Sequence, residues 1–333
     1  MVAVSASAGT VAGNARDAAP RGSDVSGPVF VTGAAGFLGA AMGRHWAARG
    51  AVVVGLDRVP LSAGRDASVK WAQFHVAELP WDDLGTVLRG LQPDLIIHCA
   101  GGADPSGSVA APARDFKSGV PGAFSVLECV RTECPGARVV FMSSAAVYGQ
   151  PSRLPVREVD ETLPISPYGF HKLMCELLCR EYSSIFGLRT ACARVFSAYG
   201  PGLARQVVWQ TCRRVLGQDA AVWTGTGDES RDYVHEDDVA RAVDAIVRCG
   251  VMDGEAYNVA TGQEVTVREL VALVRRIADR RLDPVFLGEA TPGAPARWVA
   301  DVSRLRALGF EAVVGLESGV GQVLERLSSQ DGE

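Results

Sequence analysis

The segment Ser166-Pro167-Tyr168-Gly169-Phe170-His171-Lys172 places a tyrosine and a lysine four residues apart. On a helix that spacing puts both side chains on one face. A free phenol titrates near 10 and is a poor base at pH 7. An ammonium ~4 Å away favours a phenolate by roughly 4 kcal/mol at an effective dielectric of 20. At about 1.36 kcal/mol per unit, that lowers a phenol by about three units, with desolvation acting against it. The pair can therefore make a general base, provided that a cofactor and a third polar group stand beside it.

A second segment meets the first condition. Thr32-Gly33-Ala34-Ala35-Gly36-Phe37-Leu38-Gly39 carries three glycines between an apolar strand and a helix. Glycine permits the tight turn and lets backbone amides approach a pyrophosphate. The following helix N-terminus supplies free N–H groups and partial positive charge. The spacing is Gly-x-x-Gly-x-x-Gly. Asp57 ends the next strand, 18 residues after Gly39. A carboxylate there accepts hydrogen bonds from ribose hydroxyls and repels a 2′-phosphate, which selects NAD over NADP. Arg58, next to it, pulls the other way. The third polar group is Ser144, in Met142-Ser143-Ser144-Ala145-Ala146-Val147-Tyr148-Gly149, at the end of an apolar strand.

These residues need a frame, and the rest of the chain supplies one. Apolar runs at Val29-Phe30-Val31, Ala51 to Leu56, Leu95-Ile96-Ile97, Arg138 to Met142 and Thr190 to Val195 read as buried strands. Helical stretches from Phe37 to Arg49, Ala123 to Arg131 and Lys172 to Phe186 separate them. Such alternation indicates an α/β fold, a doubly wound parallel sheet covered on both faces. Beyond Pro201 the regularity weakens. Helices are expected over Val207–Leu216, Asp237–Cys249 and Val267–Arg280, with a strand at Ala256–Ala260. The expected division is a flexible tail at 1–27, a cofactor domain at 28–200 to which 228–260 returns, and a smaller α+β substrate lobe from 201–227 and 261–333.

The chain has 333 residues, 47% of them hydrophobic, and a net charge of −5. That is ample for a large core and does not suit a nucleic-acid partner. No apolar run approaches the ~20 residues that cross a bilayer. The apolar stretches of the tail are too short for a signal-peptide core. Eight cysteines lie without a Cys-x-x-Cys, several in apolar runs, as expected of buried thiols in a reducing cytoplasm. His171, Cys175 and Cys179 share a helix face but lack a fourth ligand, so they read as packing rather than a metal site.

Taken together, these segments resemble the extended short-chain dehydrogenase/reductase family, the nucleotide-sugar epimerases and dehydratases. The resemblance runs from Val29 to about Leu327. It includes His98-Cys99-Ala100-Gly101, Ser108-Val109-Ala110-Ala111-Pro112, Arg194 to Gly202, Gly227 with Arg231-Asp232-Tyr233-Val234-His235, and Tyr257-Asn258-Val259. It implies a Rossmann fold with bound NAD, in which Tyr168 is the catalytic base, Lys172 holds the nicotinamide ribose and Ser144 bonds the reacting sugar oxygen. Ala100 and Gly101 join the cofactor site. Arg231 is implied at the substrate diphosphate, with Arg297, Ser108, Ser197, Gln206 and Arg205 as further substrate candidates.

Departures from the family pattern refine the reading. Dehydratases place Asp-Glu after the serine; here Ala145 and Ala146 stand there, which points away from elimination. That leaves a 4-epimerase acting on a UDP-hexose or UDP-hexuronate, with a 4-ketohexose reductase as the alternative. A non-catalytic NAD-binding protein fits less well, because the tyrosine, lysine and serine are all kept. Ser197 replaces an asparagine at the diphosphate, Gly119 an asparagine near the cofactor, and Ala103 a lysine of the galactose epimerases, which leaves the sugar open. The resemblance also implies a homodimer through the Tyr/Lys helix, with the His171–Cys175–Cys179 stripe as a candidate contact.

Overall fold

The computed structural model describes residues 24–61, 69–288 and 295–330; the tail expected at 1–27 lies almost entirely outside them. The strands are β1 (Val29–Thr32), β2 (Val53–Asp57), β3 (Gln73–Val76), β4 (Leu95–His98), β5 (Arg138–Ser144), β6 (Arg189–Val195), β7 (Ser197–Tyr199), β8 (Val222–Trp223), β9 (Ser230–Arg231), β10 (Tyr233–His235), β11 (Asp253–Val259), β12 (Val265–Thr266) and β13 (Val285–Phe286). The helices are α1 (Phe37–Ala47), α2 (Leu84–Leu91), α3 (Pro105–Ala110), α4 (Pro112–Glu133), α5 (Pro167–Phe186), α6 (Gln206–Val215), α7 (Glu236–Cys249), α8 (Val267–Ile277), α9 (Ser303–Arg306) and α10 (Leu316–Gln330).

Seven parallel strands form the central sheet in the order β11-β6-β5-β4-β1-β2-β3. Side chains alternate between its two faces, as the pleat requires. Val29, Val31 and Ile97 meet α1 and α7 through Met42, Trp46, Val239 and Val243. Phe30, Ile96 and Phe141 meet α2, α4 and α5 through Leu88, Val126, Leu127 and Cys179. Both faces being covered explains why these strands read as continuous apolar runs. This is the doubly wound α/β fold expected from the alternation of strands and helices.

The chain winds from β1 to β3 in one direction and from β4 outward in the other. A crevice therefore opens at the carboxyl ends of β1 and β4, where such sheets bind ligands. Beyond the sheet, α6, α8 and α10 share a separate apolar cluster with Tyr199 and Tyr233.

Candidate active site

The glycine turn follows β1 directly into α1. Gly33 has φ +67°, a left-handed conformation that suits glycine, and a Cβ there would stand 2.7 Å from the Ala100 nitrogen. A Cβ on Gly39 would stand 2.0 Å from the Gly33 carbonyl oxygen. These two glycines bring the β1 turn, the start of α1 and the end of β4 to van der Waals contact. Gly36 caps α1 without a side-chain hydrogen bond, which leaves the first-turn amides, including those of Phe37 and Leu38, for an anion. Asp57 sits at the end of β2. Its Oδ2 accepts from the Ala35 amide at 3.0 Å and its Oδ1 from the Val59 amide at 3.2 Å. The cradle and the carboxylate therefore share one hydrogen-bonded turn. Arg58 is exposed and extends toward Glu78 at 3.9 Å. These features fit a dinucleotide with a free ribose hydroxyl pair.

Helix α5 starts where its sequence dictates. Ser166 caps it by accepting from the Gly169 amide at 3.2 Å, and Pro167 takes the first position, where no N–H is needed. Tyr168 is thereby fixed in the first turn, 7% exposed. Lys172 follows on the same face. Its Nζ donates to the Met142 carbonyl at 2.8 Å and lies 5.7 Å from the Tyr168 ring centroid. The lysine is thus anchored by β5 beside the Tyr168 ring. Ala100, Gly101, Gly119, Tyr168 and Lys172 line one recess. A Cβ on Gly119 would meet nothing within 4 Å, so this glycine widens the recess.

Ser144 ends β5. Its hydroxyl oxygen accepts from the Ala146 amide at 3.2 Å, which makes it the cap of the single 3₁₀ turn Ala145–Tyr148. The hydroxyl proton remains available to a ligand, and the side chain is half-buried. Ala145 and Ala146 are 0% and 6% exposed, packed into the core behind the serine.

Behind this site runs a buried polar network that the sequence reading missed. Glu176, one turn beyond Lys172, accepts from Arg194 Nε at 3.0 Å and Nη2 at 2.7 Å, and from Ser143 Oγ at 2.5 Å. Arg194 also donates to Tyr148 Oη at 2.9 Å, and Tyr148 donates to Asn258 Oδ1 at 2.6 Å. The network joins α5, β5, β6 and β11 directly behind Ser144. Arg194 and Asn258 stood in the motif segments, but their partners lie 18 to 110 residues away.

The substrate candidates separate into three groups. Ser197 in β7 pairs with β10 and donates its amide to the Asp232 carbonyl at 3.0 Å, so it lies beside Arg231. Arg231 donates through Nη1 to the Ser230 carbonyl at 2.7 Å and the Ala296 carbonyl at 3.4 Å. Burial pulls its pKa below the usual arginine value. Its neighbour Asp232 does not neutralise it, because that carboxylate accepts from Thr261, Gly262 and Ala300. Arg205 and Gln206 are exposed at the start of α6.

Three expectations need correction. Ser108 is 2% exposed; its hydroxyl donates to the Pro105 carbonyl at 2.6 Å and accepts from the Tyr168 amide at 3.0 Å. It holds the start of α5 rather than facing a substrate. Arg297 is gripped by Glu264, with Nε–Oε1 and Nη2–Oε2 both 2.7 Å, so its charge is already matched. The Cys175 and Cys179 stripe also faces inward, at 2% and 1% exposure, and cannot form a subunit contact. His171 binds Asp115 at 2.5 Å. Among the described residues no group of three or more His, Cys, Asp or Glu could hold a metal ion, and no helix is long and apolar enough to cross a membrane.

A larger cavity of ≈ 340 Å³ lies elsewhere, lined by Tyr233, Thr261, Gln263, Arg306, Phe310 and Glu311 among others. Tyr168, Lys172 and Ser144 do not line it, and the chemistry argues for the crevice above.

Known proteins share this fold. UDP-glucose 4-epimerase of Azospirillum brasilense is 31% identical over 304 residues, covering 84% of this chain and 85% of that protein. The crystal structure of UDP-glucose 4-epimerase with UDP-glucose from Thermotoga maritima superposes with a TM-score of 0.84 at 27% identity, over 91% of this chain and 99% of that one. MoeE5 in complex with UDP-glucuronic acid and NAD gives 0.82 at 27% identity, over 91% and 100%. The model of the NAD dependent epimerase/dehydratase family matches residues 29–260, and the chain belongs to that family.

Proposed function

We propose that this protein interconverts the C4 epimers of a nucleotide-diphosphate sugar, a UDP-hexose or a UDP-hexuronate, with NAD held tightly in the glycine cradle. One observation carries the reading. Ser144, Tyr168 and Lys172 stand at the carboxyl ends of the sheet, while the two residues after the serine are buried alanines. The site can move one proton at one sugar carbon and has no acid pair there to expel a hydroxyl. Both solved relatives named above hold a UDP-sugar, which favours uridine as the nucleotide.

Tyr168 takes the proton of the C4 hydroxyl as general base and later returns it. Ser144 donates its free hydroxyl proton to the same sugar oxygen. Lys172, held on the Met142 carbonyl, sets its ammonium between the phenol and the nicotinamide ribose. NAD, held by the glycine turn and Asp57, would supply a reversible hydride acceptor for C4. Arg231 and Ser197 hold the diphosphate, so the sugar can turn while the nucleotide stays fixed. No net oxidation results, and atoms balance as an isomerisation. Residues 28–200 with 228–260 form the cofactor domain, which also lends Ser144, Ser197 and Arg231 to the substrate, and 201–227 with 261–333 form the substrate lobe.

The protein works as a homodimer in the cytoplasm. Phe116 and Phe124 on α4 and Phe170, Met174 and Leu177 on α5 are 39–55% exposed. Phe116 packs against His171 at 5.3 Å, which joins the two helices into one apolar face. Replacing Phe170 and Leu177 by Glu gives a monomer by light scattering; a wild-type monomer removes the dimer reading.

Denaturing the purified protein and identifying the released dinucleotide tests the activity. One NAD per chain is expected. An empty site that binds NADPH instead points to the ketohexose reductase and rejects the epimerase.

A further inference from the structure

We propose that Trp298 is a positioning residue, which aims Arg231 at the substrate diphosphate and fixes its distance from the Ser144 turn. The proposal rests on the reading of Arg231 given above. Among the described residues no carboxylate forms an ion pair with Arg231. Its guanidinium touches two backbone carbonyls and one ring, the guanidinium carbon lying 5.6 Å from the centroid of Trp298, while Glu229 and Tyr233 act on it only through space. An aromatic face attracts a guanidinium without satisfying its donors. Arg231 is thereby held in place while Nε and Nη2 remain available to an anion.

Trp298 is fixed from the other side as well. Its indole N–H donates to the Gly149 carbonyl at 3.2 Å, and Gly149 closes the turn that Ser144 opens. Its ring meets Phe196 at 6.1 Å, and Phe196 meets Tyr148, the last residue of that turn, at 6.3 Å. The backbone repeats the arrangement. The Trp298 amide donates to the Ser230 carbonyl, and the Val156 amide to the Val299 carbonyl. The segment 296–300 therefore lies between the strand of Arg231 and the chain that leaves the Ser144 turn. A substrate that reaches from diphosphate to C4 must span the gap that Trp298 sets.

The test is a double-mutant cycle read by UDP affinity in the NAD-loaded enzyme, with melting temperature and NAD content as checks on folding. Trp298→Met fills much of the ring's volume but offers no π face. It should weaken UDP binding on the order of tenfold, equivalent to about 1.4 kcal/mol, and raise KM in proportion while kcat stays within about threefold. Trp298→Phe keeps a ring and should bind UDP within about threefold of wild type. Arg231→Met should weaken UDP binding, and adding Trp298→Met to it should weaken it no further. Wild-type UDP affinity in Trp298→Met, losses that multiply in the double variant, or a tenfold loss in Trp298→Phe would each overturn the proposal. Arg231→Met with normal UDP affinity overturns the diphosphate reading too. Weak binding by Arg231→Met beside normal binding by Trp298→Met removes only the role of Trp298.

Discussion

Replacing Arg194 by Met should destabilise the protein more than most single substitutions. The Arg194 and Glu176 side chains are 7% and 8% exposed, and their closest contact is 2.7 Å. Truncating one partner of such a pair strands the other charge away from water, at about 3–5 kcal/mol. At about 2.1 cal/mol/K of unfolding entropy per residue, a chain of 333 residues shifts its melting temperature by about 1.4 °C per kcal/mol, so a drop of about 4–7 °C follows. Two further bonds are lost, to Tyr148 Oη and to the Glu158 carbonyl at 3.0 Å, which places the result toward the upper end. Glu176→Leu alone should cost a similar amount. Combining the two removes both charges together and should recover most of the loss, leaving about 1–3 kcal/mol for Ser143 and the Glu158 carbonyl. Thermal melts of the four proteins in one buffer measure the cycle. A melting temperature for Arg194→Met within about 2 °C of wild type would refute the reasoning, as would strictly additive losses in the double variant.

Other substitutions address the chemistry, the cradle and the pH response. Tyr168→Phe should lower turnover by about 10²–10⁴-fold with NAD content unchanged; near-normal turnover removes Tyr168 as the base. Gly39→Ala forces a Cβ to within 2.0 Å of the Gly33 carbonyl oxygen and should yield protein largely without NAD, measured as dinucleotide released per chain. Burial pushes the His98 imidazole down to about 3, with the charge of Lys172 acting the same way. The unfolded chain therefore binds the extra proton first, near pH 6.5. Stability is full above that value and falls as pH drops toward 3, by about 2 kcal/mol between pH 7 and pH 5. His98→Gln should flatten denaturant-measured stability over that interval by this amount, and an unchanged slope contradicts the assignment.

Much of the frame was legible because the sheet is buried on both faces. Val29-Phe30-Val31, Leu95-Ile96-Ile97 and Val139 to Met142 are apolar whichever way their side chains point, so either face fits the core. The edge strand β3 escaped, since Gln73 and Val76 are exposed and Phe74 and His75 only half-buried. Helix α4 was read from Ala123, yet it begins at Pro112 and passes through Pro121. Packing against α2 and α5 overrides the local signal. At the candidate site, local spacing already puts Tyr168 and Lys172 on one face of α5, Ser144 at the end of β5 and the glycines in the turn after β1. Ser108, Arg297 and Trp298 could not be sorted by spacing. Whether a serine faces a cleft or a helix start, and whether an arginine meets a substrate or Glu264, depends on contacts made 33 to 60 residues away.

The central claim is that hydride leaves C4 and returns to the same carbon within one bound cofactor. Its most direct test is proton NMR of the NAD-loaded protein in D₂O with UDP-glucose, UDP-glucuronate or their N-acetylated relatives. The account predicts that one of these converts to its C4 epimer with the C4 proton retained and no dinucleotide added. Failure of all of them to convert while NAD is bound, or deuterium appearing at C4, would contradict it.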